Sequence, residues 1–230
     1  DLDEAAATMT VLAGTPLQVI QDAARAAGLF FALDLGARGS CQIGGDVATN
    51  AGGNRVIRYG MTRDLVLGIE VVLADGTVLT SLNKLIKNNA GFDLRQIFVG
   101  SEGTLGVITR VVVRLHPQPR SQCSAFCAVE GYDQVVGLLR HSREWLGSTL
   151  SAFEVMWPDF YDLMTAPGTG VVPPVASGAG AYVLVEALGT DSVRDPQHFE
   201  EMLAAASDGH LVIDGVVANS AAEARGFWAV

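Results

Sequence analysis

The feature that most constrains this chain is a run of small residues in which seven glycines fall between Gly36 and Gly60. Glycine lacks a Cβ atom, so such a segment can adopt positive φ and bring backbone N–H groups close to a flat or anionic ligand. Ser40, Thr49 and Asn50 lie in the same segment and carry short side chains that can hydrogen-bond a polar ring edge. The segment predicts a ligand-binding loop, although the residues alone favour a plain loop across a sheet edge equally well.

Two common phosphate-binding motifs are missing from this segment. It lacks G-x-x-x-x-G-K-[ST], which argues against a P-loop nucleoside triphosphatase, and it lacks a clean strand–GxGxxG–helix unit, which argues against a Rossmann site. Four arginines accompany the glycines: Arg38, Arg55, Arg58 and Arg63. They are either solvated loop charges or groups beside a phosphate or carboxylate, and the residues alone leave both interpretations open.

Bulk composition narrows the class of protein. The chain has 230 residues, 49% of them hydrophobic, which suits one large domain or two modest ones. The most apolar stretch, Leu65–Ala74, is broken by Gly68 and Glu70, so it predicts a buried strand and not a membrane span. The formal charge of −10 repels phosphate backbones, so no nucleic-acid partner is expected. A small anionic ligand is not excluded, because local charge can differ from the average.

The cysteines favour a reduced setting. There are three, Cys41, Cys123 and Cys127, and neither their odd number nor their spacing suits a disulfide scaffold or a zinc site. We therefore expect free thiols and a cytoplasmic location, and we expect Cys41 to be a small packed residue in a tight loop.

In the first half of the chain, residues typical of turns and helix ends predict where the helices and strands begin and end. Thr15 is a predicted N-cap, Pro16 suits the first helical position, and Gly28 suits the helix end. A β-hairpin and a long strand are predicted further on, over Leu65–Leu73, Thr77–Leu79 and Val107–Leu115. Pro117-Gln118-Pro119 is a natural stop, so we predict one domain over residues 1–118 and another over 119–230.

The second half alternates strands and helices. The predicted strands are Ser124–Val129, Leu150–Met156, Ala181–Leu188 and Leu211–Val217, and the predicted long helices are Asp133–Leu146 and Asp195–Ser207. Strand–helix–strand repeated twice indicates a ferredoxin-like α+β sheet with helices on one face. Ser220 and Glu223 have the spacing of a capping box and predict a last helix.

Several motifs carry a resemblance to a known family. Leu33–Gly53 resembles the second flavin-contact segment of the vanillyl-alcohol-oxidase-type FAD family, and Arg58-Tyr59-Gly60, Leu67–Gly76 and Gly100–Thr109 extend the match. Within that family the chain is most similar to the branch of D-2-hydroxyglutarate dehydrogenases and D-lactate (glycolate) dehydrogenases. The resemblance is specific over residues 10–120 and weaker beyond, through Ser151-Ala152-Phe153-Glu154.

The resemblance implies a fold and an activity. The fold is α+β: the second half of a vanillyl-alcohol-oxidase-type FAD-binding domain, followed by part of a ferredoxin-like substrate (cap) domain. Members bind FAD non-covalently, pass a hydride from a D-2-hydroxy acid to flavin N5 and make the 2-oxo acid. D-2-hydroxyglutarate is favoured here, with D-lactate or glycolate next, and electrons leave to a separate acceptor such as an electron-transfer flavoprotein or a quinone. A homodimer and a divalent metal such as zinc in the full-length protein are left open.

The resemblance also assigns cofactor-binding residues. They are Gly39, Ser40, Ile43, Gly44, Gly45, Thr49, Asn50, Gly52 and Gly53 in the first segment, and Gly103, Gly106 and Ile108 in the second. No catalytic residue and no metal ligand is assigned, since none of the four histidines falls at a family motif. A non-catalytic flavin- or nucleotide-binding module and a structural α+β protein are the alternatives.

Part of the family pattern is expected to lie outside this sequence. The Pro-Gly-Gly turn that cradles the pyrophosphate should precede Asp1, and the substrate-binding arginine and metal-ligating histidines should follow Val230. We therefore expect a fragment that lacks the first subdomain and the end of the second domain, and that is itself inactive.

Overall fold

A computed structural model describes residues 1–230, which divide into two compact units, Asp1–Gln118 and Pro119–Val230. None of the helices in either unit is both long enough and apolar enough to cross a membrane.

The first unit is built on antiparallel sheets. Its strands are β1 (Leu2–Asp3), β2 (Thr8–Leu12), β3 (Leu29–Phe30), β4 (Val66–Val72), β5 (Val78–Ser81), β6 (Val107–Arg114) and β7 (His116–Pro117). Five of them form one sheet in the order β1-β2-β6-β4-β5, and β3 pairs with β7. The predicted hairpin is confirmed as β4 and β5, and Gly76 takes a φ of 85° at its turn.

Short helices pack against this sheet. They are α1 (Leu17–Ala26), α2 (Ile43–Ala48), α3 (Val56–Tyr59), α4 (Thr62–Leu65) and α5 (Arg95–Phe98). The core joins one face of α1 to one face of the sheet: Leu17 and Ile20 lie in the same buried cluster as Val111 and Val113. Apolar residues three positions apart lie on one face of α1, and alternate residues lie on one face of β6, so the two apolar faces pack together.

Helix α1 begins differently from its prediction. Pro16 occupies the N-cap position with an extended backbone (φ −61°, ψ 142°), and no side chain caps the helix, so the prediction of Thr15 as N-cap is wrong. A proline supplies no N–H and keeps its φ in the extended region as easily as in the helix. The predicted end is confirmed, since Gly28 follows the helix with a φ of +70°.

The glycine-rich segment is not one continuous loop. Residues Ile43–Ala48 form α2, and Val56–Tyr59 form α3, so the expectation of an unbroken loop is wrong there. Ile43 and Val47, one helical turn apart, are both fully buried in the core. This packing outweighs the poor helix propensity of Gly44 and Gly45.

The second unit has the predicted ferredoxin-like order. Its strands are β8 (Ser121–Val129), β9 (Leu150–Met156), β10 (Ala181–Gly189) and β11 (Asp214–Val217), and its helices are α6 (Tyr132–Leu146), α7 (Pro158–Met164), α8 (Arg194–Asp208) and α9 (Ala221–Phe227). The sheet runs β11-β8-β10-β9, with every pairing antiparallel. Helices α6 and α8 provide the two crossovers, so the predicted α+β class and split strand–helix–strand arrangement are confirmed.

The helices cover both faces of this sheet, which corrects the expectation of one covered face. Phe126 of β8 packs against Tyr161 of α7 and Phe227 of α9 with tilted and edge-on rings. The next residue, Cys127, points to the other face, where it borders α8 near Leu203. Successive residues of a strand point to opposite faces, so α7 and α9 lie opposite α8.

Helix starts in this unit depend on short side chains. The Ser220 hydroxyl accepts the Glu223 N–H at 3.2 Å, while the Glu223 carboxylate accepts the Asn219 N–H at 2.7 Å. The predicted cap is therefore confirmed. In a standard capping box the Glu223 carboxylate would accept the N–H of Ser220, but here it accepts the N–H of the preceding residue, Asn219. Asp195, a predicted N-cap, lies inside the first turn of α8, because that helix begins at Arg194.

Candidate functional site

Helix α2 is held against the strand edge by its first residues. The Gly44 N–H donates to the Ala13 carbonyl at 2.8 Å, and the Ile43 N–H donates to the Thr15 carbonyl at 3.1 Å. A Cβ atom on Gly44 would lie 2.6 Å from the Ala13 Cβ, far inside contact distance. Ile43 and Gly44 therefore hold the helix in place, and the N–H groups of both are already used.

A second glycine turn meets the other end of α2. The Gly100 N–H donates to the Val47 carbonyl at 3.1 Å, and the Glu102 N–H donates to the Ala48 carbonyl at 2.9 Å. These carbonyls are among the last of the helix, which have no partner within it. The bonds place Gly103 next to the C-terminal end of α2, so the two predicted segments form one site.

Asn50 fastens this end of the site to the rest of the unit. It has a φ of 51°, in the left-handed region, and its side-chain oxygen accepts the Arg63 N–H at 3.0 Å. The Arg63 guanidinium in turn donates to the Val99 carbonyl at 2.6 Å. The Asn50 amide is thus engaged by the protein itself, since asparagine tolerates this backbone conformation and bonds locally.

An exposed surface of bare backbone runs across these elements. A Cβ atom built on Gly39, Gly45 or Gly103 would meet nothing within 4 Å. The Thr49 hydroxyl donates to the Gly45 carbonyl at 3.0 Å, and the Ser40 hydroxyl donates to the Ala37 carbonyl at 3.2 Å. We call these five exposed residues the glycine surface. Its three glycines have no side chain, so a flat ligand can approach their backbone closely.

Gly52 and Gly53 add donors beside this surface. Both are half-buried, and neither N–H donates to an acceptor within the chain. Gly53 has a φ of +80°, and a Cβ there would lie 2.4 Å from the Asp34 carbonyl oxygen, so only glycine fits. Half-buried N–H groups without a partner are costly unless a ligand or water accepts them. Two such donors next to bare backbone fit a flat ring with a polar edge.

Gly106 and Ile108 support the site from within the sheet. A Cβ on Gly106 would lie 2.6 Å from the Val71 side chain, and Ile108 belongs to the buried core. These two predicted residues therefore lie under the turn that carries Gly103 and not on the exposed surface.

Asp34 organises the glycine-rich segment, although no role was predicted for it. This buried carboxylate lies 2.7 Å from the Arg55 guanidinium and 3.1 Å from that of Arg38. Its backbone carbonyl also accepts the Asn54 N–H at 3.1 Å. The sequence did contain a signal for this role: Asp34 follows an apolar run and lies four residues before Arg38. Arg55 is accordingly a half-buried ion-pair partner and not a solvated loop charge.

Cys41 lies against Asp46 under the site. Burial raises the pKa of the Cys41 thiol, and the neighbouring Asp46 carboxylate raises it further. Burial also raises the pKa of Asp46. The thiol is protonated near neutral pH and is a poor nucleophile, which agrees with its prediction as a packed residue.

Metal ligands do not cluster in this chain. No group of three or more His, Cys, Asp or Glu side chains could hold a metal ion. His116 lies in the first unit, and His141, His198 and His210 lie in the second.

Models of two protein families match this chain. Residues 1–81 match the model of a FAD binding domain, and residues 118–230 match the model of the C-terminal domain of FAD linked oxidases.

Curated relatives match almost the whole chain. A mitochondrial D-2-hydroxyglutarate dehydrogenase of Arabidopsis thaliana is 40% identical over 228 residues, which are 99% of this chain and 41% of that protein. The protein of the same name in Bos taurus is 44% identical over 95% of this chain and 40% of that protein. The chain therefore spans about two fifths of the length of these relatives.

Solved structures share the fold. An alkyldihydroxyacetonephosphate synthase matches with a TM-score of 0.74 at 20% identity, over 99% of this chain and 46% of that one. The 4-ethylphenol oxidase of Gulosibacter chungangensis matches with a TM-score of 0.66 at 18% identity, over 95% of this chain and 45% of that one.

Proposed function

Because this chain belongs to the FAD-linked oxidases of the vanillyl-alcohol-oxidase type, we propose that it is part of an FAD-dependent dehydrogenase that oxidises a D-2-hydroxy acid to the 2-oxo acid. The family membership agrees with the resemblance seen in the sequence. The activity belongs to a longer protein, since the relatives are more than twice the length of this chain.

The observation that carries the flavin part of the proposal is the glycine surface with its two adjacent donors. Gly39, Gly45 and Gly103 leave room for a ring to lie against the backbone, and the Gly52 and Gly53 N–H groups can donate to a polar ring edge. An isoalloxazine ring has such an edge, with acceptors at N1, O2, O4 and N5. When bound, FAD supplies the acceptor for the hydride that leaves the substrate α-carbon.

The predicted cofactor residues divide into two groups under this proposal. The residues that contact the flavin are Gly39, Ser40, Gly45, Thr49, Gly52, Gly53 and Gly103. The residues that hold those seven in place are Ile43, Gly44, Asn50, Gly106 and Ile108. The first group comprises the exposed glycine surface and the two glycines whose N–H groups have no partner in the chain, whereas the second group packs inside the unit or binds to it.

The substrate is ranked from the relatives. Several carry the name D-2-hydroxyglutarate dehydrogenase at 38–45% identity, so D-2-hydroxyglutarate is proposed first, and D-lactate or glycolate next. A separate electron acceptor, either an electron-transfer flavoprotein or a quinone, completes the proposal. The cytoplasmic location stays a prediction, and the names of the first relatives place those proteins in mitochondria.

The test uses the full-length protein that contains this chain. We expect it to purify with a flavin absorption spectrum and to lose the oxidised-flavin band when it is mixed anaerobically with D-2-hydroxyglutarate. The L enantiomer is the matched control and should leave the band unchanged.

The other outcomes identify the alternatives. A flavin spectrum that no D-2-hydroxy acid bleaches would favour a non-catalytic flavin-binding module. A colourless protein that takes up no added FAD would favour a structural α+β protein and would overturn the proposal.

A further inference from the structure

A cavity of about 210 Å³ lies in the second unit, between helix α8 and the β8–β11 edge of the sheet. Its inner end is formed by Ala125 and Cys127, alternate residues of β8 that face α8 and are no more than 1% exposed. Leu203 and Ala204 of α8 line one side, and Gly215 of β11 lines the other. We call this space the α8 cavity.

Small residues keep the α8 cavity open. In the pairing of β8 with β11, Gly215 lies directly opposite Cys127, so no side chain of the edge strand covers the thiol. A Cβ atom on Gly215 would lie 3.6 Å from the Cys127 sulfur and 3.6 Å from a side-chain carbon of Val212, which are ordinary contact distances. The space beside Cys127 can therefore take a carbon atom in van der Waals contact and without strain.

The Cys127 thiol lines the inner end of the cavity without a partner. The residue is 1% exposed, and its side chain forms no hydrogen bond within the chain. Burial raises the pKa of the thiol to about 12, and the charge of the Asp214 carboxylate contributes to the shift. The thiol is therefore uncharged near neutral pH and acts as a small apolar surface with a weak donor. The inner end of the cavity suits an uncharged, apolar group.

One charged side chain lines the outer part of the same cavity. Asp214 is exposed there, and its Oδ1 atom accepts the Gly215 N–H at 2.9 Å. The Oδ2 atom forms no hydrogen bond or ion pair within the chain. No lysine, arginine or histidine lines the cavity, and the chain as a whole carries a net charge of −10. A cation beside Asp214 is therefore favoured, and an anion is repelled.

We propose that the α8 cavity binds a small amphiphilic amine, with an apolar ring against Cys127 and an ammonium group against Asp214. An apolar cavity of about 150 Å³ is large enough to hold benzene, so the α8 cavity has room for a ring and a short side chain. Burial of the ring supplies most of the affinity, and the solvent-exposed ion pair adds selectivity. The site does not depend on the flavin proposal, because all of its residues belong to the second unit.

The first experiment titrates the 230-residue chain with benzylamine and follows its amide and side-chain NMR signals. We expect saturable shifts at Ala125, Ala204 and Val212, while the signals of Tyr161 on the opposite face of the sheet stay in place. Benzyl alcohol has nearly the same shape without the charge, so it should bind about fivefold more weakly, the upper end for an exposed ion pair. Benzoate should not bind measurably. Equal affinities for the three compounds would contradict the role of Asp214 and overturn the inference.

Two variants test the two ends of the cavity. Ala204→Leu should weaken binding of benzylamine at least about tenfold, because the larger side chain fills the cavity from an exposed helix position. Ala222→Leu, at an exposed position of α9 that does not line the cavity, is its matched control and should bind normally. Asp214→Asn should weaken benzylamine about fivefold and leave benzyl alcohol unchanged. Its control is Asp208→Asn, an exposed acid outside the cavity, which should change the affinity by less than about twofold.

The remaining outcomes overturn the inference. If benzylamine shifts none of the cavity signals, or if the well-folded Ala204→Leu chain binds it as tightly as the unmodified chain, the cavity does not hold the amine. If the Ala204 signals change with protein concentration and sedimentation shows a dimer, a second copy of the chain occupies the cavity instead. None of these measurements involves FAD, so a failure of substrate bleaching in the full-length protein would leave their results standing.

Discussion

The N–H of Glu102 donates to the carbonyl of Ala48 across 2.9 Å, and this bond joins the end of α2 to the turn that precedes β6. Glu102 adopts a φ of 51° to make it, in a region that a glutamate rarely occupies. The consequence is that two glycine motifs far apart in sequence form one exposed surface. We expect this hydrogen bond to determine the shape of the proposed flavin site.

Neighbouring glycines of α2 should respond oppositely to alanine. Gly44→Ala places a Cβ 2.6 Å from the Ala13 Cβ, so it should destabilise the fold by about 1–3 kcal/mol. Gly45→Ala meets open space inside a helix, so it should stabilise the fold by roughly 0.5–1 kcal/mol. Urea unfolding of both variants measures the difference, and equal effects on stability would contradict the assigned packing.

The same Gly45→Ala variant should bind FAD more weakly than the unmodified chain. Its new methyl group occupies the surface that we assign to the flavin ring, while the fold is retained. The quenching of FAD fluorescence on titration gives the affinity. Unchanged affinity in a well-folded Gly45→Ala chain would remove Gly45 from the site.

The Asp34 carboxylate should matter more to stability than an ordinary surface acid. Asp34→Asn removes the buried carboxylate that pairs with the half-buried Arg55 guanidinium at 2.7 Å, and we expect a loss of roughly 3 kcal/mol. Asp22→Asn breaks an ion pair of similar length, 2.9 Å to Arg25, but both of those side chains are exposed, so no measurable loss is expected. A similar midpoint of unfolding for the two variants would show that the Asp34 pair is not structural.

Acid should destabilise the chain partly through His116. Its folded pKa of about 4 lies below the ordinary value of 6.5, so the unfolded state binds the proton more readily between these values. Stability from this residue is therefore complete above pH 6.5 and falls as the pH drops towards 4. After discounting for partial exposure, we expect roughly 1–2 kcal/mol. His116→Gln should flatten the stability curve in that window, and an unchanged slope would refute the assignment.

Glu102 should be replaceable. It is exposed, and its carboxylate forms no hydrogen bond or ion pair, so Glu102→Asn should retain FAD affinity. Asparagine tolerates the left-handed region better than glutamate, so stability should stay the same or rise by up to about 1 kcal/mol. A large loss of FAD binding would instead give the carboxylate a functional role.

The sequence was sufficient where local signals decide the structure. Asp75-Gly76 identifies the β4–β5 turn, because the turn needs the positive φ that Gly76 adopts. In the second unit Gly147, with a φ of 51°, ends α6 where the apolar periodicity ends. Alternating strands and helices then allow only a few orders of strands in the sheet, and the ferredoxin-like order is one of them.

Sequence reasoning failed where distant contacts decide the structure. Helix α2 forms despite Gly44 and Gly45, because Ile43 and Val47 are buried and Ala13 leaves no room for a Cβ on Gly44. The role of Asp34 depends on Arg55, which lies 21 residues away. Neither a helix propensity nor a local motif contains these contacts.

The amide NMR spectrum of the 230-residue chain during titration with riboflavin tests the central claim most directly, because riboflavin carries the ring without the phosphates. We predict saturable shifts at Gly45, Gly52, Gly53 and Gly103, with Gly28 at the end of α1 unchanged. If riboflavin leaves the Gly52 and Gly53 amides where they were, or shifts only residues away from the glycine surface, that surface does not hold the flavin ring.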